Sequence, residues 1–321
     1  MTPLQFKVLR AIETRRDLFV SVEMLTKELH VSRSAIMQSI NSLEQNGYRF
    51  DSLNCLEYRL EYSPDIIDSE YIHSLLNEDG LDVDVRTYLT IDSTNNEGKR
   101  LAHDLKRPLL LIAEEQTMGR GRQGHTFYSP PKTGLYMSVV VPSSLPLGIM
   151  ALCTQLMAVA AYQAVIESGG PELTIKWVND LYLGNKKTAG ILTEAVTGLE
   201  TLHAYAVICG IGLNLTTFQF PNEIINKAGS LGAINRNKLA SRITARFLLF
   251  MNELPSTSGW LDIYRERSLV IGKSVSFVQN GQTYQGIGKE IDDQGRLIVR
   301  LVDGSEFTLS SGEVSIIPSF S

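Results

Sequence analysis

Residues 115–131 read Glu115-Gln116-Thr117-Met118-Gly119-Arg120-Gly121-Arg122-Gln123-Gly124-His125-Thr126-Phe127-Tyr128-Ser129-Pro130-Pro131, and the choice of fold turns on them. Taken mechanically, Gly119, Gly121 and Gly124 satisfy the G-x-G-x-x-G fingerprint of a dinucleotide-binding domain. That fingerprint works only when a helix follows, because the pyrophosphate rests on the helix N-terminus. Here the chain runs on through His125-Thr126-Phe127-Tyr128-Ser129 into two prolines, and no helix can form. What remains is a flexible glycine loop carrying two arginines. Glycines let backbone N–H groups approach an anion, and the guanidiniums of Arg120 and Arg122 suit bidentate bonds to phosphate or carboxylate. The competing reading is a solvated surface loop, which three glycines interleaved with two arginines after an apolar strand make the weaker one. A loop of this kind should order on an anionic ligand and close over it.

Outward from the loop, strands are expected at Val83–Ile91, Leu109–Glu114, Leu135–Val141, Leu173–Val178, Ala189–Glu194 and His203–Gly210. Helices are expected at Ser69–Asn77, Leu147–Ser168 and Lys238–Leu254. The second is apolar along nearly its whole length, as a buried helix would be. Strands outnumber helices and do not alternate with them, which points to α+β architecture. Within this zone Lys176-Trp177-Val178-Asn179-Asp180-Leu181 and Gly184-Asn185-Lys186-Lys187-Thr188-Ala189-Gly190-Ile191-Leu192 read as a hairpin turning at Gly184-Asn185. Lys186 reads as a solvent charge at the turn. Lys187, at the base of a rigid strand, is either aimed at a ligand or a second surface charge; Trp177 either lines a pocket or packs in the core. Asp92-Ser93-Thr94-Asn95 sets short polar side chains at a strand end, where Ser93 or Thr94 could equally cap a helix. Gly210-Ile211-Gly212-Leu213-Asn214 puts two glycines after an apolar strand, permitting close backbone approach by a ligand.

The first 62 residues have a different texture. Pro3 marks a helix start, Ser21 caps a second helix, His30-Val31 makes a tight turn, and Ser32 caps a third that Gly47 ends. Residues 48–54 and 56–60 then alternate like a hairpin. This is the pattern of a winged helix-turn-helix, whose third helix enters a DNA major groove. Ser32 at its cap and Arg33, Ser34, Gln38, Ser39 and Asn41 on its exposed face are the expected DNA contacts. Eight Lys/Arg against eight Asp/Glu in this segment give no electrostatic preference for DNA, and a small protein-contact domain is the alternative. From about residue 271 the chain reads as strands only, with turns at Asn280-Gly281, Asp293-Gln294-Gly295 and Asp303-Gly304, suggesting a small barrel.

Composition sets the outer limits. With 321 residues, 43% hydrophobic and 20% charged, the chain can hold two or three ordinary globular cores. A net charge of −5 confines any DNA contact to a local patch. The three cysteines, Cys55, Cys153 and Cys209, show neither metal spacing nor a disulfide framework, and Cys153 and Cys209 sit in apolar runs as core residues. No stretch reaches the ~20 apolar residues of a membrane span. Nor do the first residues resemble a secretion signal. A cytoplasmic protein without membrane contact is expected.

Taken together, Asp92-Ser93-Thr94-Asn95, Gln116 with Gly119–Gly124, Lys176–Leu181, Lys187 with Ala189-Gly190-Ile191-Leu192, and Gly210–Asn214 resemble, in order and separation, the motifs of the biotin–protein ligases. The N-terminal winged helix resembles that of the bifunctional members, which also repress biotin operons. The resemblance implies α+β architecture in three domains. These are a winged helix-turn-helix at 1–62, an SH2-like catalytic domain at 63–270, and an SH3-like β-barrel at 271–321. It implies that biotin and ATP, with Mg²⁺, form biotinyl-5′-AMP, and that the biotinyl group passes to a lysine of a biotin carboxyl carrier domain. Ser93, Thr94, Asn95 and Gln116 would hold the biotin head, with Arg120, Gly121 and Arg122 in the covering loop. Lys187 corresponds to the family's active-site lysine, acting with Arg120 and Arg122. Gly119, Arg122, Trp177, Asn179, Asp180 and Asn214 would meet the nucleotide, with Asp180 beside Mg²⁺ and residues 215–233 near the adenine. Operator DNA and a homodimer promoted by biotinyl-5′-AMP are the implied partners. One departure stands out: the family's glycine-rich wing turn is replaced by Asn54-Cys55-Leu56-Glu57-Tyr58, which would retune DNA contact. A lipoate or octanoate transferase shares the scaffold, and a repressor that senses the adenylate without transferring it is the other alternative.

Overall fold

A computed structural model of the chain describes residues 1–15, 17–143, 145–197, 204–254 and 259–318. Helix α1 (Pro3–Glu13) starts where Thr2 and Gln5 form a reciprocal capping box and Pro3 takes the first helical position, at which an N–H would go unused. Strand β1 (Val20–Ser21) leads into α2 (Val22–Leu29), whose Met24 N–H donates to Ser21 Oγ. Left-handed His30 turns the chain, and Ser32 caps α3 (Arg33–Gln45). Strands β2 (Arg49–Leu53) and β3 (Glu57–Tyr62) form the wing, with β1 completing a sheet of order β1-β3-β2. Leu9, Ile12, Leu25, Ile36, Ile40 and Leu43 close a separate core, each contributing about 1.5–3 kcal/mol on burial. The winged helix is therefore present. One expectation fails: Ser39 is only 5% exposed. It shares the i, i+3, i+4, i+7 stripe of Ile36, Ile40 and Leu43, so it faces the core and donates to the Ala35 carbonyl instead of facing DNA. Arg33, Ser34, Gln38 and Asn41 are exposed. Asn54 and Cys55 both take left-handed φ at the wing tip.

Asp68 caps α4 (Ser69–Glu78). The central sheet follows: β4 (Asp84–Tyr88), α5 (Thr94–Leu101), β5 (Leu109–Ala113), β6 (Gly134–Pro142), α6 (Met150–Glu167), β7 (Thr174–Lys176), β8 (Asp180–Leu183), β9 (Lys186–Thr197) and β10 (Ala204–Asn214). Helices α7 (Arg236–Glu253) and α8 (Trp260–Glu266) come last. Strand order is β4-β5-β6-β10-β9-β8-β7, antiparallel except for the β4–β5 pair. Side chains alternate across the sheet. Leu110, Ile112, Met137, Val139, Val207 and Cys209 pack with α4, α6, α7 and α8, while Leu109, Leu111, Val140, Ala206 and Ile208 lie on the opposite face with α5. The mixed architecture agrees with the α+β expectation. Helix α6 is long and apolar enough to cross a membrane, but 72% of it is buried in this core. Burial pushes the Cys153 thiol up to about 12 and that of Cys209 well above its ordinary value. Strand β4 stops at Tyr88, short of Ile91, and α7 begins two residues before Lys238, capped by Asn235. His203, the expected start of one strand, lies outside the described residues, whose strand begins at Ala204.

The last unit is an antiparallel sheet of β11 (Ser274–Gln279), β12 (Gln282–Ile291), β13 (Leu297–Leu301), β14 (Glu306–Leu309) and β15 (Val314–Ile316), ordered β14-β13-β12-β11-β15. Asn280 and Gly281 both take positive φ, the two-residue hairpin geometry that Asn-Gly favours. The fifth strand, β15, is too short to register in the alternation.

Candidate active site

Absent side chains shape the floor of the site. In β10, Gly210 lies opposite Ser138 of β6 and Leu192 of β9, and Gly212 lies opposite Tyr136 and Gly190. These positions share the α5 face of the sheet. A methyl at Gly210 would overlap the Asn95 carboxamide, and one at Gly212 would stand 2.8 Å from two ring carbons of Phe127. At Gly190 it would crowd both Phe127 and Nζ of Lys187 at 3.3 Å. The glycines thus open a trough into which Asn95, Phe127 and Lys187 reach from three elements.

A buried polar chain lines one end of the trough. Thr94 N and Oγ1 donate to Gln116 Oε1 (2.9 and 3.2 Å), whose Nε2 donates to Ser129 Oγ (3.0 Å). Ser138 Oγ lies 2.7 Å from Thr94 Oγ1 and from Asn95 Oδ1. Asn95 Nδ2 in turn donates to the Leu192 carbonyl and to Glu194 (3.0 Å each). Ser93 occupies the N-cap position of α5 without making a capping bond, and its side chain lines the cavity with Thr94, Asn95, Gln116, Arg120 and Phe127. That cavity has room for about 20 Å³, the space of a water molecule. Ser138 and Glu194 escaped the sequence reading. The signal for Ser138 was available, as the single polar side chain within the buried run Leu135–Val140.

The loop that follows β5 folds on itself. Gly121 N donates to the His125 carbonyl (2.7 Å), and Phe127 N to that of Gly119 (2.9 Å). As the sequence required, no helix follows the glycines; Arg122–Gly124 is a single 3₁₀ turn broken by Gln123. Arg120 donates to Asn96 Oδ1 (2.8 Å) and lies 3.5 Å from Glu194, which Lys99 also contacts at 2.7 Å. Burial alone would raise the Glu194 carboxyl, but the bonds from Lys99 and Asn95 and the nearby Arg120 hold it below its ordinary value.

Arg120, Phe127 and Gly190 are shared with a second, larger cavity of about 290 Å³. Its walls include Arg122, Trp177, Asn179, Asp180, Lys187 and, from the last unit, Gly312 and Glu313. Arg122 donates to Asn179 Oδ1 and to the Gly312 carbonyl (3.2 Å each). Lys187 Nζ lies 2.7 Å from Asp180 Oδ1, off the hydrogen-bonding direction, so that buried oxygen has no hydrogen-bond partner. Asn214 Oδ1 is likewise buried and unpartnered, while its Nδ2 donates to the Gly229 carbonyl (3.1 Å). Trp177 answers both sequence readings: it is 3% exposed, lines the cavity, and donates to the Gly295 carbonyl (3.0 Å). Residues 224–229 pack alongside, with Lys187 exchanging backbone bonds with Lys227 and Gly229. Lys186 is not a free solvent charge, since its ammonium donates to the Ile225 and Asn226 carbonyls (3.2 and 2.8 Å). Among the described residues no cluster of three His, Cys, Asp or Glu side chains suits a metal. A single carboxylate, ion-paired with Lys187, fits Mg²⁺ carried in on nucleotide phosphates and not a preformed metal cage.

Comparison with known proteins gives the family of the chain. Residues 87–214 match the Biotin/lipoate A/B protein ligase family, 270–316 the Biotin protein ligase C terminal domain, and 1–48 the MarR family. The Bacillus subtilis Bifunctional ligase/repressor BirA is 28% identical over 89% of this chain and 90% of its own length. The Mycobacterium tuberculosis Biotin--[acetyl-CoA-carboxylase] ligase is 34% identical over 64% of this chain and 78% of its own length. A biotin protein ligase from Aquifex aeolicus, solved with biotin and ATP, shares the fold with a TM-score of 0.62 at 23% identity, over 73% of this chain and 99% of that one. The glycine-floored trough, the arginine loop and the Lys187 cavity are thus found in a chain that belongs to the biotin protein ligase family.

Proposed function

We propose that this protein joins biotin to a lysine of a biotin carboxyl carrier domain through biotinyl-5′-AMP, and that its winged helix represses biotin genes when the adenylate is bound. The observation that carries the proposal is that the two cavities share Arg120, Phe127 and Gly190 as walls. A mostly uncharged polar pocket adjoins a cationic one, as a ligand with a ureido head and an anionic tail requires.

In this reading Ser93, Thr94, Asn95 and Gln116 face the ureido ring with paired donors and acceptors. The biotin carboxylate reaches the α-phosphate of ATP beside Lys187 and Arg122. Its oxygen forms the new bond to phosphorus as the bond to pyrophosphate breaks, and pyrophosphate leaves. Lys187 and the arginines screen the approach of two anions and stabilise charge on the expanding phosphate. Asp180 would hold Mg²⁺ arriving with the nucleotide, which supplies further charge screening. Trp177 and Asn179 line the nucleotide cavity and the buried Asn214 Oδ1 is an unpartnered acceptor, whereas Gly119, expected at the nucleotide, lies against Gln116 and Ser129 outside that cavity. The carrier amine then attacks the acyl carbonyl, forms the amide and expels AMP. Gly121 and its neighbours, closing over the anhydride, keep water from it. A cavity of about 20 Å³ cannot take the bicyclic ring with Phe127 over Gly190 and Gly212, so entry requires that ring to shift.

We assign 1–62 to DNA binding through Ser32, Arg33, Ser34 and Gln38, 63–270 to catalysis, and 271–321 to closing the nucleotide cavity. A homodimer promoted by the adenylate, acting in the cytoplasm, belongs to the same reading. The test is incorporation of labelled biotin into a carrier domain with ATP and Mg²⁺. Wild type should transfer, Lys187→Ala should lose at least a hundredfold in rate, and Arg122→Ala should bind ATP more weakly. A tightly held adenylate that is never transferred would make the protein a sensor-repressor, and preference for lipoate over biotin would overturn the substrate.

A further inference from the structure

The first turn of α7 carries three successive side chains, two bound to the 63–68 linker and the third to the winged helix. Arg236, 1% exposed, spends its donors in two directions. Toward the linker, Nε donates to Asp65 Oδ2 and NH2 to the Asp65 carbonyl (2.8 Å each). Toward the sheet, NH1 and NH2 donate to the two Glu114 oxygens (2.6 and 3.2 Å), and NH1 reaches the Gly134 carbonyl (3.4 Å). Asn237 donates to the Ile66 carbonyl (2.7 Å) and accepts from Asp68 N (2.9 Å). Lys238 pairs with Glu13 of α1 at 2.7 Å. Burial alone would lower the Arg236 guanidinium, but Glu114 and Asp65 more than compensate and raise it.

The sheet end of this network is not neutral ground. Glu114 is two residues from Gln116, whose carboxamide organises Thr94 and Ser129 at the biotin end of the trough. Gly134, the other sheet contact, opens β6, which carries Ser138 on the same face. A planar guanidinium buried with both forks occupied has a single orientation. Removing the Asp65 carboxylate strips Nε of its partner while Glu114 and the Asp65 carbonyl still hold the terminal nitrogens, so the guanidinium is free to turn about the sheet end. Whatever moves the linker therefore acts on the strand end that holds Gln116.

We propose that Arg236 is a positioning residue for the biotin pocket and that it ties that pocket to the 63–68 linker within one protomer. Linker placement and biotin affinity are then reciprocal, as any coupling between two sites must be. This rests on the assignment of the Gln116 end of the trough to biotin.

Asp65→Ala is the informative variant, because Asp65 is half-exposed and its loss spares the core. Hydrogen exchange on the full chain should show faster exchange at 114–117 as well as at 63–68 in Asp65→Ala without ligand. Its KM for biotin should rise about 3- to 10-fold while kcat and KM for ATP hold. In wild type, biotin should slow exchange at 63–68, and in the variant it should not. Arg236→Lys, which keeps the charge but not the fork, should match Asp65→Ala. Wild type that binds no biotin would sink this inference together with the ligase assignment. Wild type that binds biotin while Asp65→Ala keeps the same KM, with exchange altered only at 63–68, would sink the coupling alone.

Discussion

Replacing Gly210 with alanine adds one methyl group, and the structure says where it must go. It would overlap Oδ1 of Asn95 and stand 2.8 Å from Cγ, about 0.6 Å inside ordinary contact. Neither side yields easily. Gly210 sits in mid-strand, paired with Ser138 on one side and Leu192 on the other. Asn95 is pinned by Ser138, the Leu192 carbonyl and Glu194. Displacing it leaves two or three buried polar groups without partners, at about 1–3 kcal/mol each before relaxation. A net destabilisation of about 2–4 kcal/mol is expected in urea unfolding. The displaced carboxamide also moves into the trough, so biotin affinity by calorimetry should fall at least tenfold. Adding Asn95→Ala to Gly210→Ala should recover part of the stability, since the clash is gone, and none of the affinity. A single Gly210→Ala variant that binds biotin as wild type does would refute both the floor and the placement of Asn95 in it.

Two further predictions concern the periphery of the site and the winged helix. Arg100 and, less strongly, Asn96 hold the Asp92 carboxyl down to about 2. Its folded value lies below the ordinary 3.8, so its stabilisation is complete above that pH and fades as pH falls from about 3.8 toward 2. Carbon-detected titration should find the depressed midpoint, and Arg100→Met should return it toward 3.8; a wild-type midpoint already near 3.8 would discard the pair. Arg33→Ala, at the exposed start of α3, should weaken binding to duplex DNA of any sequence and reduce the salt-dependence slope by about one. An unchanged slope would remove Arg33 from the phosphate contacts.

Much of this architecture was legible in local chemistry. Ser21 and Ser32 cap helices because each has a short oxygen one residue before a helical run, Pro3 opens the first because it needs no N–H there, and Asn280-Gly281 turns a hairpin because both residues tolerate positive φ. The dinucleotide fingerprint was excluded by the seven residues His125–Pro131 directly after it, which is local evidence too. Ser39 misled because it is polar and near exposed neighbours, while its position in the 36-39-40-43 stripe fixed its direction. Nothing local could place Ser138 beside Asn95 or Glu194 beside Arg120, since those meetings depend on strand register over 43 and 74 positions of chain. Arg236 was hidden for a similar reason. Its partners lie 171 and 122 residues away, and an arginine at a helix start reads alone as a surface charge.

The carbonyl of Gly295 accepts from Gln155 Nε2 (2.6 Å) and from Trp177 Nε1 (3.0 Å), joining the C-terminal strands to the wall of the larger cavity. Gly295 has φ +73°, and a side chain there would run into the Gln155 amide. Interchange of parts between relatives is therefore constrained at this four-residue turn as well as at the Gly312 carbonyl that Arg122 meets. A C-terminal module transplanted from another ligase should fit only if its Asp292–Gly295 counterpart offers a bare carbonyl at that height and its Gly312 counterpart one to Arg122. Chimaeras chosen by sequence identity alone would be sorted by the wrong criterion.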